Sequence, residues 1–109
     1  MTNQELFSRV RAHLLSQGRK STSVGGAVCL YRGEGSLRCA IGCLIPDEMY
    51  STDLEGKLAD AEIILNLCGL EPDQAGLAFS LQSAHDYGPV CQWPAKLAEV
   101  ARVFGLENV

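Results

Sequence analysis

The sequence predicts an α+β domain that is mostly helical: an N-terminal helix, a two-stranded β-hairpin, then three helices packed as an open bundle against the hairpin. Three observations carry this. Residues 2–17 and three stretches after residue 50 place apolar side chains at the 3.6-residue period of a helix. Residues 28–41 instead alternate in twos across a glycine-rich turn. The chain has 109 residues, 47% of them hydrophobic, which suits one domain over 1–109 with one core and excludes a disordered chain.

The first helix opens at Thr2. With Glu5 three residues on, a hydroxyl and a carboxylate can each satisfy an orphan backbone N–H, the capping-box pattern. The helix runs to about Gln17 on a stripe of Leu6, Phe7, Val10, Leu14 and Leu15, and Gly18 is the expected stop. Arg19 to Gly26 reads as a polar connector. Its cations Arg19 and Lys20, three hydroxyls and two glycines also suit a small anionic, nucleotide-like ligand, although the spacing is not that of a phosphate-binding P-loop.

The hairpin is predicted from Val28–Tyr31 and Leu37–Ile41 around Gly33-Glu34-Gly35-Ser36. Leu37, Cys39 and Ile41 would face the core and Arg38 the solvent. A third strand could come from Ser23–Ala27 or Gly88–Gln92. Pro46 stops the second strand, and Asp47 and Glu48 then sit in a first helical turn, where the helix dipole favours carboxylates. The next helix spans about Leu54 to Cys68 on Leu54, Leu58, Ala61, Ile64, Leu65 and Cys68. Gly56 weakens its first turn by about 1 kcal/mol, so its start can shift later. Gly69 and Leu70 end it. The third helix runs from Pro72 to about Asp86, with Leu77, Leu81, Ala84 and either His85 or Ala78 inward. The last starts at Trp93-Pro94 on Trp93, Leu97, Val100, Ala101 and Phe104, and stops at Gly105-Leu106 with the same chemistry as Gly69-Leu70.

Charge and cysteines narrow the function classes. A net charge of −4 argues against nonspecific nucleic-acid binding, which needs a basic surface. No apolar run approaches the roughly 18 residues of a membrane span, and no signal peptide is visible. The expectation is a cytoplasmic protein whose five cysteines are reduced thiols.

Four groups of residues could carry chemistry. Cys39 or Cys43 could be a nucleophile with His85 as base and Asp86 as orienter, because imidazole can draw the proton from a thiol. Neighbouring helical side chains point about 100° apart, so Asp86 is poorly placed to orient His85. The alternative is that both thiols are small buried hydrophobes. Cys29, Cys39, Cys43, His85 and Cys91 are enough ligands for zinc. However, Cys39 and Cys43 would lie about 13 Å apart in one strand, and the expectation is no metal and no cofactor. Asp47, Glu48, Asp53 and Glu55 could bind a hard cation, or simply serve helix starts. His85, Asp86, Tyr87 and Trp93 could form a recognition surface, since Trp and Tyr are typical hot-spot residues; Trp93 could equally anchor the core.

The runs Cys29-Leu30-Tyr31-Arg32, Arg38 to Tyr50 (RCAIGCLIPDEMY), Leu54-Glu55-Gly56, and Leu81 to Asp86 with Trp93 and Leu97 resemble small uncharacterised accessory proteins of bacteriophages and prophages. The resemblance covers most of the chain and brings no catalytic residues with it. It implies a protein made in the cytoplasm of an infected or lysogenic bacterium, binding a host component, defence systems among them. The expected function is therefore non-covalent binding of a host protein. Arg19, Lys20, Arg38, Asp47, Glu48, Glu55, His85, Asp86, Tyr87 and Trp93 are the candidate contacts. The alternatives are a small cysteine-dependent enzyme using Cys39 or Cys43 with His85, and a binder of a small nucleotide-like ligand.

Overall fold

The computed structural model describes all 109 residues and is all-helical. Its α-helices are α1 (Asn3–Gln17), α2 (Glu62–Leu67), α3 (Ala75–Asp86) and α4 (Trp93–Phe104). Single 3-10 turns stand at Gly42–Leu44, Asp47–Met49, Thr52–Leu54, Pro72–Gln74 and Val90–Gln92. Helices α1, α3 and α4 pack against one another. The long irregular segment from Gly18 to Ala61 lies between α1 and α2 in the chain and adds Tyr31, Cys39, Ala40, Ile41, Leu44, Ile45, Leu54 and Ala59 to the same core cluster.

The helix ends follow local chemistry. The Thr2 hydroxyl accepts from Glu5 N–H at 3.1 Å, and the Glu5 carboxylate accepts from Thr2 N–H at 3.3 Å. Gly18 (φ 63°) closes α1 in the left-handed region that glycine enters without penalty. After α2 and α4, Leu70 N–H reaches back to Leu65 O and Leu106 N–H to Ala101 O, closing the two Gly-Leu stops alike. Leu77, Ala78, Leu81, Ala84 and His85 of α3 are buried, as are Trp93, Leu97, Val100 and Ala101 of α4. On α1, Leu6, Phe7, Val10 and Leu14 are buried but Leu15 is exposed.

The hairpin is the main correction: the chain has no β-sheet, so the α+β class does not hold. The expected strands leave only two isolated antiparallel bridges, Thr22 with Cys29 and Arg32 with Arg38. Side chains take the backbone groups that a ladder would need. The N–H groups of Tyr31 and Arg32 donate to the two Glu55 carboxylate oxygens, at 2.8 and 3.2 Å. Ile41 N–H donates to Gln82 Oε1 at 3.0 Å. The period of two fails as well, because Cys39, Ala40, Ile41 and Gly42 are all buried in succession. A segment wrapped on every side has no solvent face for alternation to report. Neither extra strand forms: Ser23–Ala27 holds a turn and Val90–Gln92 is a 3-10 turn.

The helix expected over Leu54–Cys68 is the second correction. Only Glu62–Leu67 is α-helical. Gly56 adopts φ 85°, a conformation no helix interior accepts, and Leu58 is left exposed.

Candidate functional site

His85 sits at the centre of the polar interior. It is fully buried near the end of α3, and its ring stacks on Trp93 with centroids 5.4 Å apart. Ser21 N–H donates to His85 Nε2 at 3.0 Å. A backbone amide can only donate, so Nε2 is unprotonated and Nδ1 carries the hydrogen, which goes to Asp86 Oδ1 at 2.7 Å. Asp86 Oδ1 also accepts from Gln82 Nε2 at 2.8 Å, and Gln82 Oε1 holds Ile41 N–H. Asp86 does orient His85, against expectation. It is the last residue of α3, and Gln82, one turn earlier, holds its carboxylate over the helix end toward Nδ1.

This network settles what His85 can do. Cys29, His85 and Asp86 bring ligand atoms within 4.8 Å of one another, so the spacing alone would suit a cation. The ring, however, has no lone pair to give: Nε2 is spent on Ser21 N–H, and Nδ1 bears the hydrogen bonded to Asp86. Cys39, Cys43 and Cys91 lie outside that cluster, and Cys91 is exposed.

The nucleophile reading meets the same obstacle. Cys39 is fully buried, and burial pushes its thiol far above the usual range; its sulfur accepts from Gly42 N–H at 3.2 Å. Burial pushes the Cys43 thiol up to about 11, and its sulfur faces Ala40 O at 3.1 Å. Partial burial and the Asp86 charge raise Cys29. Neither Cys39 nor Cys43 hydrogen-bonds to His85. A reactive thiol needs the opposite environment, exposed and electropositive.

The charged candidates are mostly spent on tying the irregular segment together. Lys20 Nζ donates to Asp86 O at 3.0 Å, which removes one cation from the expected anion loop, while Arg19 is exposed. Glu55 holds the Tyr31 and Arg32 amides and accepts from Tyr50 Oη at 2.7 Å. Asp47 accepts from both Arg32 and Arg38, which hold its carboxyl below the usual carboxylate range, the Arg32 hydrogen bond most of all. Glu48 and Asp53 are exposed and join no cluster with Asp47 and Glu55 that could grip a metal.

The recognition surface divides. Trp93 is 1% exposed and belongs to the core, whereas Tyr87 is 69% exposed. Beside Tyr87 stands a residue the sequence reading missed, Phe79, 43% exposed on the outer face of α3. Phe79, Ser83 and Tyr87 follow at i, i+4 and i+8 and form a ridge between two clefts. One cleft, of about 220 Å³, mixes polar and apolar groups and is lined by Cys29, Glu55, Leu58, Gln82 and Asp86 among others. The other, of about 420 Å³, is an apolar trough toward Val100, Val103 and Phe104 of α4. The signal for Phe79 was present: an aromatic on the face of α3 opposite the stripe of Leu77, Leu81 and Ala84.

No known protein family, curated protein or solved structure matches the chain.

Proposed function

We propose that the protein is a non-covalent binding module that engages a host protein through the outer face of α3. The observation carrying this reading is the ridge of Phe79, Ser83 and Tyr87 with a cleft on each side. Four large apolar side chains that water reaches, Leu58, Phe79, Tyr87 and Val103, line those two clefts. Aromatic residues beside pockets are where binding energy concentrates, and exposed apolar groups grouped on one face mark interaction sites. The buried, proton-retaining thiols and the fully committed His85 favour binding over cysteine catalysis. The resemblance to phage and prophage accessory proteins supplies the setting, the cytoplasm of an infected or lysogenic bacterium, with a host defence component as one class of target.

The test is affinity capture from bacterial lysate with wild-type protein, with a Phe79→Asp/Val103→Glu variant, and with a control carrying Val24→Asp and Val28→Asp on the exposed loop. All three must unfold cooperatively. A host protein retained by wild type and control but lost from the α3–α4 variant is the expected result. Equal retention by all three, or none by wild type, overturns the reading. No helix is long and apolar enough to cross a membrane, so the ridge is not part of a helical span.

A further inference from the structure

A second site lies away from the α3 ridge, where the loop after Tyr31 meets the turn after Pro46. Two guanidinium groups converge there on one carboxylate oxygen. Asp47 Oδ1 is 2.7 Å from Arg32 Nη1 and 2.9 Å from Arg38 Nη2. Among the side chains lining the cleft over this site two cations face one anion, in a protein that is acidic overall; Glu55 lies outside that lining. The groups also differ in how firmly they are held. The Arg32 side chain is 17% exposed; its Nη2 donates to Ile45 O, its guanidinium lies 5.1 Å from the Tyr50 ring centroid, and its backbone N–H is held by Glu55. Its Nε is buried with no hydrogen-bond partner, a donor left unspent. The Asp47 side chain is 68% exposed on a single 3-10 turn, with no hydrogen bond beyond the two arginines. A cleft of about 310 Å³ opens over the cluster, with Ser36 and Tyr50 in its wall.

We infer that Arg32 and Arg38 form a binding site for the phosphate group of a small phosphorylated molecule, with Asp47 occupying it as an internal substitute. The guanidinium fork matches a tetrahedral oxyanion, and a phosphate brings more charge and more acceptor oxygens than the carboxylate it displaces. Arg32 is already oriented by Ile45 O and the Tyr50 ring, so binding requires that Asp47 swing out and that Arg38, whose guanidinium is held only by Asp47, turn onto the phosphate. The cleft volume sits at the lower end of small-molecule sites, which run from roughly 300 to 1,000 Å³, so the ligand has a polar body beyond its phosphate but is not an extended chain. The site shares no residue with the two clefts along α3, so the two readings stand or fall separately.

Calorimetric titration with inorganic phosphate and with ribose 5-phosphate, at constant ionic strength, tests this on four proteins: wild type, Asp47→Asn, Asp47→Asn/Arg38→Gln, and Asp60→Asn. The last removes an exposed carboxylate elsewhere and controls for net charge. Asp47→Asn should bind both probes at least about fivefold tighter than wild type, and adding Arg38→Gln should weaken binding about tenfold or more. In wild type, phosphate should move the Arg32 Nε–H resonance where chloride does not, a readout that needs no variant. The inference is overturned by equal tightening in Asp60→Asn, by an Asp47→Asn affinity no better than wild type, by a stationary Arg32 resonance, or by succinate binding as well as phosphate.

Discussion

Gly42 is the point where two stretches of backbone cross. A Cβ placed there would stand 2.2 Å from the Tyr31 carbonyl oxygen, far inside any real contact, and Tyr31 backbone cannot yield because Glu55 and Cys39 hold it. Gly42→Ala should therefore lower stability by about 3 kcal/mol, the upper range for overpacking a tight site, as read from chemical denaturation. A denaturation midpoint within error of wild type would contradict the crossing. Single residues were legible only in part. Thr2, Gly18, Gly69 and Gly105 announced themselves because their role depends on neighbours within four positions. Gly42, Ser21 and Gln82 did not. Each acts on a partner far along the chain, and nothing in the spacing of Ser21 and His85 signals that an amide of one spends the only free lone pair of the other.

At the scale of elements, α1, α3 and α4 read well, whereas the strands and the first half of the helix expected over Leu54–Cys68 did not. The contrast has a physical basis. A helix satisfies its backbone internally, so period and caps suffice to place α1, α3 and α4. A strand needs a partner, and here Glu55 and Gln82 compete successfully for the N–H groups of Tyr31, Arg32 and Ile41. Helix α3 supports a further prediction. Gly76 lies exposed in its first turn, not in a left-handed conformation, and a Cβ there would meet the Phe104 ring at an ordinary 3.8 Å. Gly76→Ala should stabilise by about 0.5–1 kcal/mol, through helix propensity and reduced freedom of the unfolded chain. Thermal melts should rise by a few degrees; a fall would mean that the start of α3 is not a regular helix.

For the whole molecule, the thiols steepen the response to alkali, together with the Tyr31 and Tyr50 hydroxyls, which burial also pushes up. Burial raises Cys43 to about 11 and Cys68 to about 12 from an ordinary thiol value near 9.0, and raises Cys39 further. Between the unfolded and folded values the unfolded chain binds fewer protons, so stability must fall as pH rises. The contribution is fully present below about pH 9 and is lost progressively through 11 and 12. Each thiol steepens the fall by about 1.4 kcal/mol per pH unit while it titrates. Urea denaturation between pH 8 and 11 should show the decline, and a Cys43→Ala/Cys68→Ala protein should show a shallower one. An unchanged slope would place those thiols in water.

The same division holds for the molecule's candidate surfaces. Composition and period established the acidic charge, the helices α1, α3 and α4 with most of their buried stripes, and the helix stops, because those properties depend on local spacing and on the count of apolar residues. Folding in three dimensions determined that residues 18–61 form no sheet and that Trp93 and His85 are interior. It also turned Phe79 outward beside Tyr87 and brought Arg32 and Arg38 onto Asp47. Those outcomes rest on contacts between residues far apart in sequence, where a side chain's hydrogen-bonding capacity goes to whichever distant partner the packing presents.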